Sequence, residues 1–191
     1  MGELIAWDVV TLDGFFEGPE PWDLSFHEIV WGPELVDRGR GFSGTTELLV
    51  FGRRTYEGMA SYWTTVQDDD PVVTAFMNAV PKLVASHTLT EATWENTEVT
   101  SDIIGEVTRR KAAATLPLRI FGSADLLADL LEAGLVDEID LCVAPVLLGA
   151  GRRLFESSPH PRRLDLVEAA PLSTGGALLR YTVPTRADAG A

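Results

Sequence analysis

The sequence predicts an α/β fold: a mixed, mostly parallel central sheet with helices on both faces and an antiparallel hairpin at its C-terminal end. Three observations lead there. Short apolar runs closed by glycine or proline alternate with helix-like stretches, the pattern of strand–helix–strand crossovers in a parallel sheet. Two late apolar runs flank Ser173-Thr174-Gly175-Gly176, a hairpin signal. The 191 residues, 46% hydrophobic and 23% charged, suit one packed domain, expected at 1–185 and followed by a tail at 186–191.

Leu4 to Val10 is rich in apolar residues and reads as a strand buried on both faces, stopped by the turn pair Asp13-Gly14. Ser25 to Arg38 spaces Phe26, Ile29, Val30 and Val36 in a helix-like way, interrupted by Gly32-Pro33. Glu47 to Gly52 is a second buried strand leading into a short helix, Arg53 to Met59. Asp68-Asp69-Asp70-Pro71 suits a helix N-terminus, and the helix runs to Val80 before Pro81.

Lys82 to Ser86 and Thr93 to Thr100 read as strands, and Asp102 to Ala114 as a helix. Leu118 to Gly122 is a further strand, after which Ser123 is placed to cap a helix ending at Ala133-Gly134. Ile139 to Leu148 looks like a central strand with Pro145 at a bulge or exit. Leu164 to Leu172 and Ala177 to Val183 form the terminal hairpin.

Composition removes whole classes of function. No run approaches the roughly 18 apolar residues of a membrane span, and Met1-Gly2-Glu3-Leu4 lacks a basic signal-peptide start, so a cytoplasmic location with no membrane partner is expected. The net charge of -14 disfavours nucleic acid, whose phosphates need a basic face. The lone Cys142 lies in an apolar run and reads as a buried structural thiol, and no metal site is expected. An anionic ligand must therefore be held locally, which singles out clusters such as Arg53-Arg54.

In open parallel sheets, ligands gather where strand ends meet helix N-termini with unpaired N–H groups. Three such junctions carry candidate residues. Gly52, Arg53 and Thr55 combine a close backbone approach, a charge-assisted donor and a first-turn hydroxyl. Ser86, His87 and Thr88 follow a strand directly, and Gly122, Ser123 and Ala124 open a helix onto which a pyrophosphate could settle. Each has a plainer reading as turn, cap or solvated charge. Three junctions in one chain favour a dinucleotide.

With these residues in view, the chain resembles the dihydrofolate reductase family over Leu4 to about Val183, and in particular its riboflavin-biosynthesis reductase (RibD C-terminal-like) branch. Thr11-Leu12-Asp13-Gly14 is similar to that family's S-L-D-G loop, with threonine in place of serine. Gly52-Arg53-Arg54-Thr55-Tyr56-Glu57 is similar to its G-R-x-T-[YW]-E element, Lys82 to Leu89 to the strand whose exit holds the adenosine 2′-phosphate, and Phe121-Gly122-Ser123 to its glycine turn. Gly134 to Glu138 and Pro145 to Gly151 resemble the branch's L-V-D-E and P-x-x-L-G-x-G pattern. Phe15-Phe16 and Phe121 replace a basic and an acidic residue usual in the riboflavin enzymes, and His87 stands where an arginine or lysine often meets the 2′-phosphate.

The resemblance implies a dihydrofolate-reductase-like three-layer fold, NADPH as cofactor, and hydride transfer to a C=N bond of a heterocycle or ribosylamine-derived substrate. It adds Ala6 and Gly14 to the cofactor-binding candidates. Asp13 becomes the candidate for ordering the substrate or proton path, or else the first residue of an Asp-Gly turn. Trp22, Asp23 and Phe26 are expected to border the substrate, although core packing accounts equally for Phe26. The activity implied is closest to 5-amino-6-(5-phosphoribosylamino)uracil reductase. The alternatives are dihydrofolate reduction, with Asp23 or Glu28 as the available acids, and a cofactor-binding protein without chemistry. A homodimer supported by the run Leu141 to Leu148 is also expected.

Overall fold

The computed structural model describes residues 2–156 and 161–184, so the expected tail at 186–191 lies outside the described residues. Among the described residues, ten strands and six helices follow in chain order: β1 (Leu4–Thr11), β2 (Phe15–Glu17), α1 (His27–Val30), α2 (Pro33–Phe42), β3 (Leu48–Gly52), α3 (Arg53–Trp63), α4 (Pro71–Ala79) and β4 (Lys82–Ala85). The second half supplies β5 (Thr97–Thr100), α5 (Ile103–Ala113), β6 (Leu118–Phe121), α6 (Ala124–Glu132), β7 (Glu138–Ala144), β8 (Arg152–Arg153), β9 (Asp165–Pro171) and β10 (Ala177–Thr182). Eight strands form one sheet in the order β5-β4-β3-β6-β1-β7-β10-β9. The first six are parallel, and β10 runs antiparallel between β7 and β9. This is the mixed α/β sheet with a terminal hairpin that the sequence predicts.

Both faces of the sheet are covered, which is why β1 is buried along its whole length. On one face Trp7 and Val9 pack with Phe51, Tyr56, Phe76 and Met77, beneath α1 to α4. On the other, Leu4, Ala6 and Val10 pack with Val50, Ile120, Leu127 and Leu130, beneath α5 and α6. The alternation follows the two-residue period of a strand.

Three expectations are corrected. The helix foreseen over Ser25 to Arg38 is two helices, because Gly32 is extended and Pro33 opens α2; a proline in the first turn starts a helix but cannot continue one. The strand foreseen from Thr93 begins only at Thr97, since Trp94 turns into the core and its N–H donates to the Tyr56 hydroxyl at 2.9 Å. β7 stops at Ala144, just before Pro145. The small antiparallel pair of β2 with β8 was not legible, because neither segment has a recognisable period. β7 is paired on both edges, by β1 and β10.

No helix among the described residues is long and apolar enough to cross a membrane. Leu127, fully buried where α6 meets the sheet, gives a direct test of this packing. Leu127→Ala is expected to lower unfolding free energy by about 3 kcal/mol in urea titrations, whereas Leu12→Ala, at a position 66% exposed, should change it by less than about 0.5 kcal/mol.

Candidate functional site

Parallel alignment brings the carboxyl ends of β4, β3, β6 and β1 to one edge of the sheet. Gly52 at the end of β3 is level with Ala85 at the end of β4, so Ser86 follows directly beside it. β6 stops at Phe121, opposite Trp7, while β1 continues to Thr11 against β7 alone. The sheet therefore splits beyond Trp7, and from Asp8 onward β1 pairs, among the described residues, with β7 only. The three candidate junctions, Gly52, Ser86 and Gly122, lie on this single edge.

Two of the junctions are tied together. The Gly52 N–H donates to Ser123 Oγ at 2.9 Å, and the same hydroxyl reaches the Phe121 carbonyl at 3.3 Å. Ser123 is left-handed, with φ at 67°, and does not cap α6 as expected, because its hydroxyl is turned back to β3. Gly122 is also left-handed, with φ at 59°, and a Cβ there would stand 3.1 Å from Thr55 Cγ2. Glycine is needed for both the turn and the close approach. Ala124 is buried at the start of α6, and Thr55 is buried in the first turn of α3.

The helix N-termini differ in a way that matters for ligands. Asp70 and Asp102 cap α4 and α5 with their carboxylates, taking up first-turn N–H groups. Neither α3 nor α6 has a side-chain cap. Their first-turn donors, and the positive end of each helix dipole, point at the shared edge. Arg53 pairs with Glu57 at 2.9 Å, and Arg54 stands 3.8 Å from Glu17; both arginines are exposed. A shallow hollow bounded by Glu17, Gly18, Pro21, Arg54 and Arg152 lies alongside.

The third junction is a local turn: Ser86 Oγ accepts from the N–H groups of Thr88 and Leu89 at 3.1 and 2.9 Å, leaving His87 and Thr88 exposed. Ala6 is corrected as a cofactor contact, because it is 1% exposed and paired on both sides, to Ile120 and Ile139, before the sheet splits.

Asp13 has work of its own. Its carboxylate accepts from the Thr11 hydroxyl at 2.6 Å and from the backbone N–H groups of Leu148 and Gly149 at 3.1 and 2.8 Å. Leu12 N–H meets Val146 O at 3.0 Å, and the Arg153 guanidinium holds the Asp13 carbonyl at 2.6 Å. These bonds fasten the loop after β1 to the loop after β7, and Gly14 N–H closes the turn on Thr11 O. The Thr11 hydroxyl, followed by the loop N–H groups, holds the Asp13 carboxyl down at about 2, so it stays ionised and hydrogen-bonded instead of carrying a proton. The structure thus shows Asp13 as a clamp between the loops after β1 and β7.

Of the three substrate candidates, Phe26 is 2% exposed and belongs to the core. Asp23 accepts from the Ser25 N–H and hydroxyl, a local turn. Trp22 is 39% exposed, and its indole lies on α3 at Gly58, where a Cβ would fall 2.5 Å from the ring. It alone of the three presents an exposed aromatic surface.

Sequence reasoning passed over Asp8. It is the first residue of β1 beyond the end of β6, 5% exposed, and its Oδ2 is buried with no hydrogen-bond partner. Burial pushes its carboxyl well above the usual range, opposed only in part by the Gly122 N–H. The available signal was a lone acid in an otherwise apolar strand. Cys142 is buried, its thiol pushed up to about 12, as a structural cysteine should be.

Comparison with known proteins agrees with this architecture. The RibD C-terminal domain model matches residues 9–178. The uncharacterized protein YyaP of Bacillus subtilis is 27% identical over 177 residues, covering 90% of each chain. A provisionally assigned riboflavin biosynthesis protein from Shewanella sp. PV-4 superposes with a TM-score of 0.78 at 21% identity, over 95% of this chain and 99% of that one. Dihydrofolate reductase from Enterococcus faecalis, in complex with NADP(H), does so with a TM-score of 0.65 at 16% identity, over 95% and 96%. The two structural likenesses establish the dihydrofolate-reductase-like fold.

Acid should loosen the site in two stages. His27, buried with its Nε2 unpartnered, is lowered to about 4 from an ordinary 6.5, so its neutral form supports the fold fully above about pH 6.5 and that support is lost toward pH 4. Asp13, at about 2 against 3.8, contributes fully above about pH 4 and loses its effect as pH falls toward 2. Melting temperature is expected to fall between the first pair of values, less steeply in His27→Gln; exchange protection of the Leu148 and Gly149 amides should fall between the second.

Proposed function

The chain belongs to the RibD C-terminal domain family, and from that premise we propose that it is an NADPH-dependent oxidoreductase acting on a pyrimidine- or pteridine-type substrate, most like 5-amino-6-(5-phosphoribosylamino)uracil reductase. One observation carries the reading: two uncapped helix N-termini, α3 and α6, held side by side by the Gly52–Ser123 hydrogen bond at the carboxyl edge of adjacent parallel strands. Such a pair is a ready-made seat for a pyrophosphate.

The residues present fit the dinucleotide. In a chain of net charge -14, an anion needs local donors, and the first-turn N–H groups of α3 and α6 supply them together with Arg53 and the Thr55 hydroxyl. His87 and Thr88, exposed at the exit of β4, stand where the outer phosphate would extend along the edge. Gly122 lets Thr55 approach the turn before α6, and Trp22 offers a flat apolar face to a heterocycle. When bound, the dihydronicotinamide supplies a hydride to the C=N carbon. The protein's part is to fix the ring's position, with Asp13 clamping the loops after β1 and β7 so that the cleft holds its shape.

A homodimer is part of the same reading. β9 is an edge strand with Leu166 and Val167 both more than half exposed, which supports association there over the β7 run. Sedimentation should give a dimer that Val167→Lys shifts toward monomer.

The cofactor reading is tested by titration. NADPH is expected to quench tryptophan fluorescence and to raise the melting temperature, with NADH binding more weakly. Arg53→Ala should weaken NADPH about tenfold, the usual scale for one charge-assisted hydrogen bond. No quenching and no thermal shift with NADPH would remove the enzyme reading; unchanged affinity in the variant would remove only Arg53 from the site.

A further inference from the structure

Two side chains belong by position to the N-terminus of α6, and both are held away from it by distant partners. Ser123, the residue before the helix, gives its hydroxyl to the Gly52 N–H. Asp125, the acid of the first turn, is engaged by Arg152, whose Nη2 donates to Asp125 Oδ2 at 2.5 Å. Asp70 and Asp102 show the ordinary alternative, since their carboxylates accept from the first turns of α4 and α5.

The small ribbon of β2 and β8 brings Arg152 to this place. Gly151 lets the two segments meet: its φ is 139°, and a Cβ there would fall 2.2 Å from the Glu17 carbonyl. Arg152 then pairs in register with Glu17, and its guanidinium lies 5.7 Å from the centre of the Phe16 ring. Its side chain is 26% exposed against 85% for Asp125, so the arginine is the fixed member of the pair and the acid comes to it. Arg152 and Arg54 of α3 both line the hollow beside these helix ends.

The charge of Asp125 decides what this pairing does. A free carboxylate in the first turn is attracted to the positive end of its own helix and stabilises it. At a seat for an anion the same carboxylate competes with the ligand and repels it. Paired with a guanidinium, it does neither.

We propose that Arg152 keeps the anion seat at α6 open by holding the Asp125 carboxylate off the helix end and cancelling its charge. This rests on the dinucleotide reading above and adds no second site. It makes Arg152 a positioning residue that acts through Asp125, distinct from the groups that touch phosphate.

Calorimetric titration of the full chain with NADP⁺ at low ionic strength tests it through a double-variant cycle. Arg152→Met frees the acid and is expected to weaken NADP⁺ about threefold, the scale of one charge at a helix end. Asp125→Asn, at an exposed position that the fold tolerates, should bind NADP⁺ as tightly as the wild type or up to about threefold more tightly. The double variant should return to within about 1.5-fold of the wild type, a rescue that loss of a phosphate contact or of ribbon structure does not give. Arg109→Met makes the same charge change on α5 and should stay within about 1.5-fold of the wild type. A double variant as weak as Arg152→Met, a weakened Asp125→Asn, or an equal loss in Arg109→Met would each overturn the assignment. NADP⁺ binding that Arg152→Met leaves unchanged sinks this inference alone; no NADP⁺ binding by the wild type sinks the dinucleotide reading with it.

Discussion

The hydrogen bond from the Gly52 N–H to Ser123 Oγ is the constraint around which the candidate site is built. It joins the exits of two neighbouring parallel strands, and it does so by taking the serine hydroxyl away from the helix it would otherwise cap. The same bond therefore fixes the spacing of α3 and α6 and leaves the N–H groups of α6 uncommitted. Gly122 completes the arrangement, because its left-handed backbone turns the chain there and its lack of a side chain lets Thr55 approach.

Around that joint, the fold separates stability from ligand contact. Carboxylates that the local structure needs are consumed internally: Asp70 and Asp102 on helix N-termini, Asp137 on the Lys111 ammonium and the Leu4 N–H, Asp13 on the loop after β7. At the shared edge, the helices α3 and α6 have no side-chain cap and the Arg53 guanidinium is exposed.

Most of the sheet was legible because its strands are short apolar runs punctuated by glycine and proline, and because parallel strands buried on both faces cannot hide that signature. What failed did so for local reasons. The break at Gly32-Pro33 is a proline rule that outweighs helical spacing, the early end of β7 lies at Pro145, and β2 with β8 is held by pairing that no short segment encodes. At the site, the glycine and serine junctions at Gly52, Ser86 and Gly122 were legible from residue type. The roles of Asp13, Phe26, Ala6 and Ser123 were not, since each depends on neighbours more than 70 residues away in the chain or on which side of a strand end the residue falls.

The sequence by itself determined the α/β class, the order of the strands of the main sheet, and the three small-residue junctions, because periodicity and turn chemistry are properties of neighbours along the chain. Only the tertiary structure decided that those junctions share one edge, that the sheet splits just before Asp8, and that one aspartate carboxyl is held low in a loop clamp while another is raised by burial beside the Gly122 turn. Asp8 and Asp13 are the same residue type five positions apart. Burial beside a glycine turn raises one and a ring of hydrogen-bond donors lowers the other, and those surroundings exist only once β1, β6 and β7 have come together.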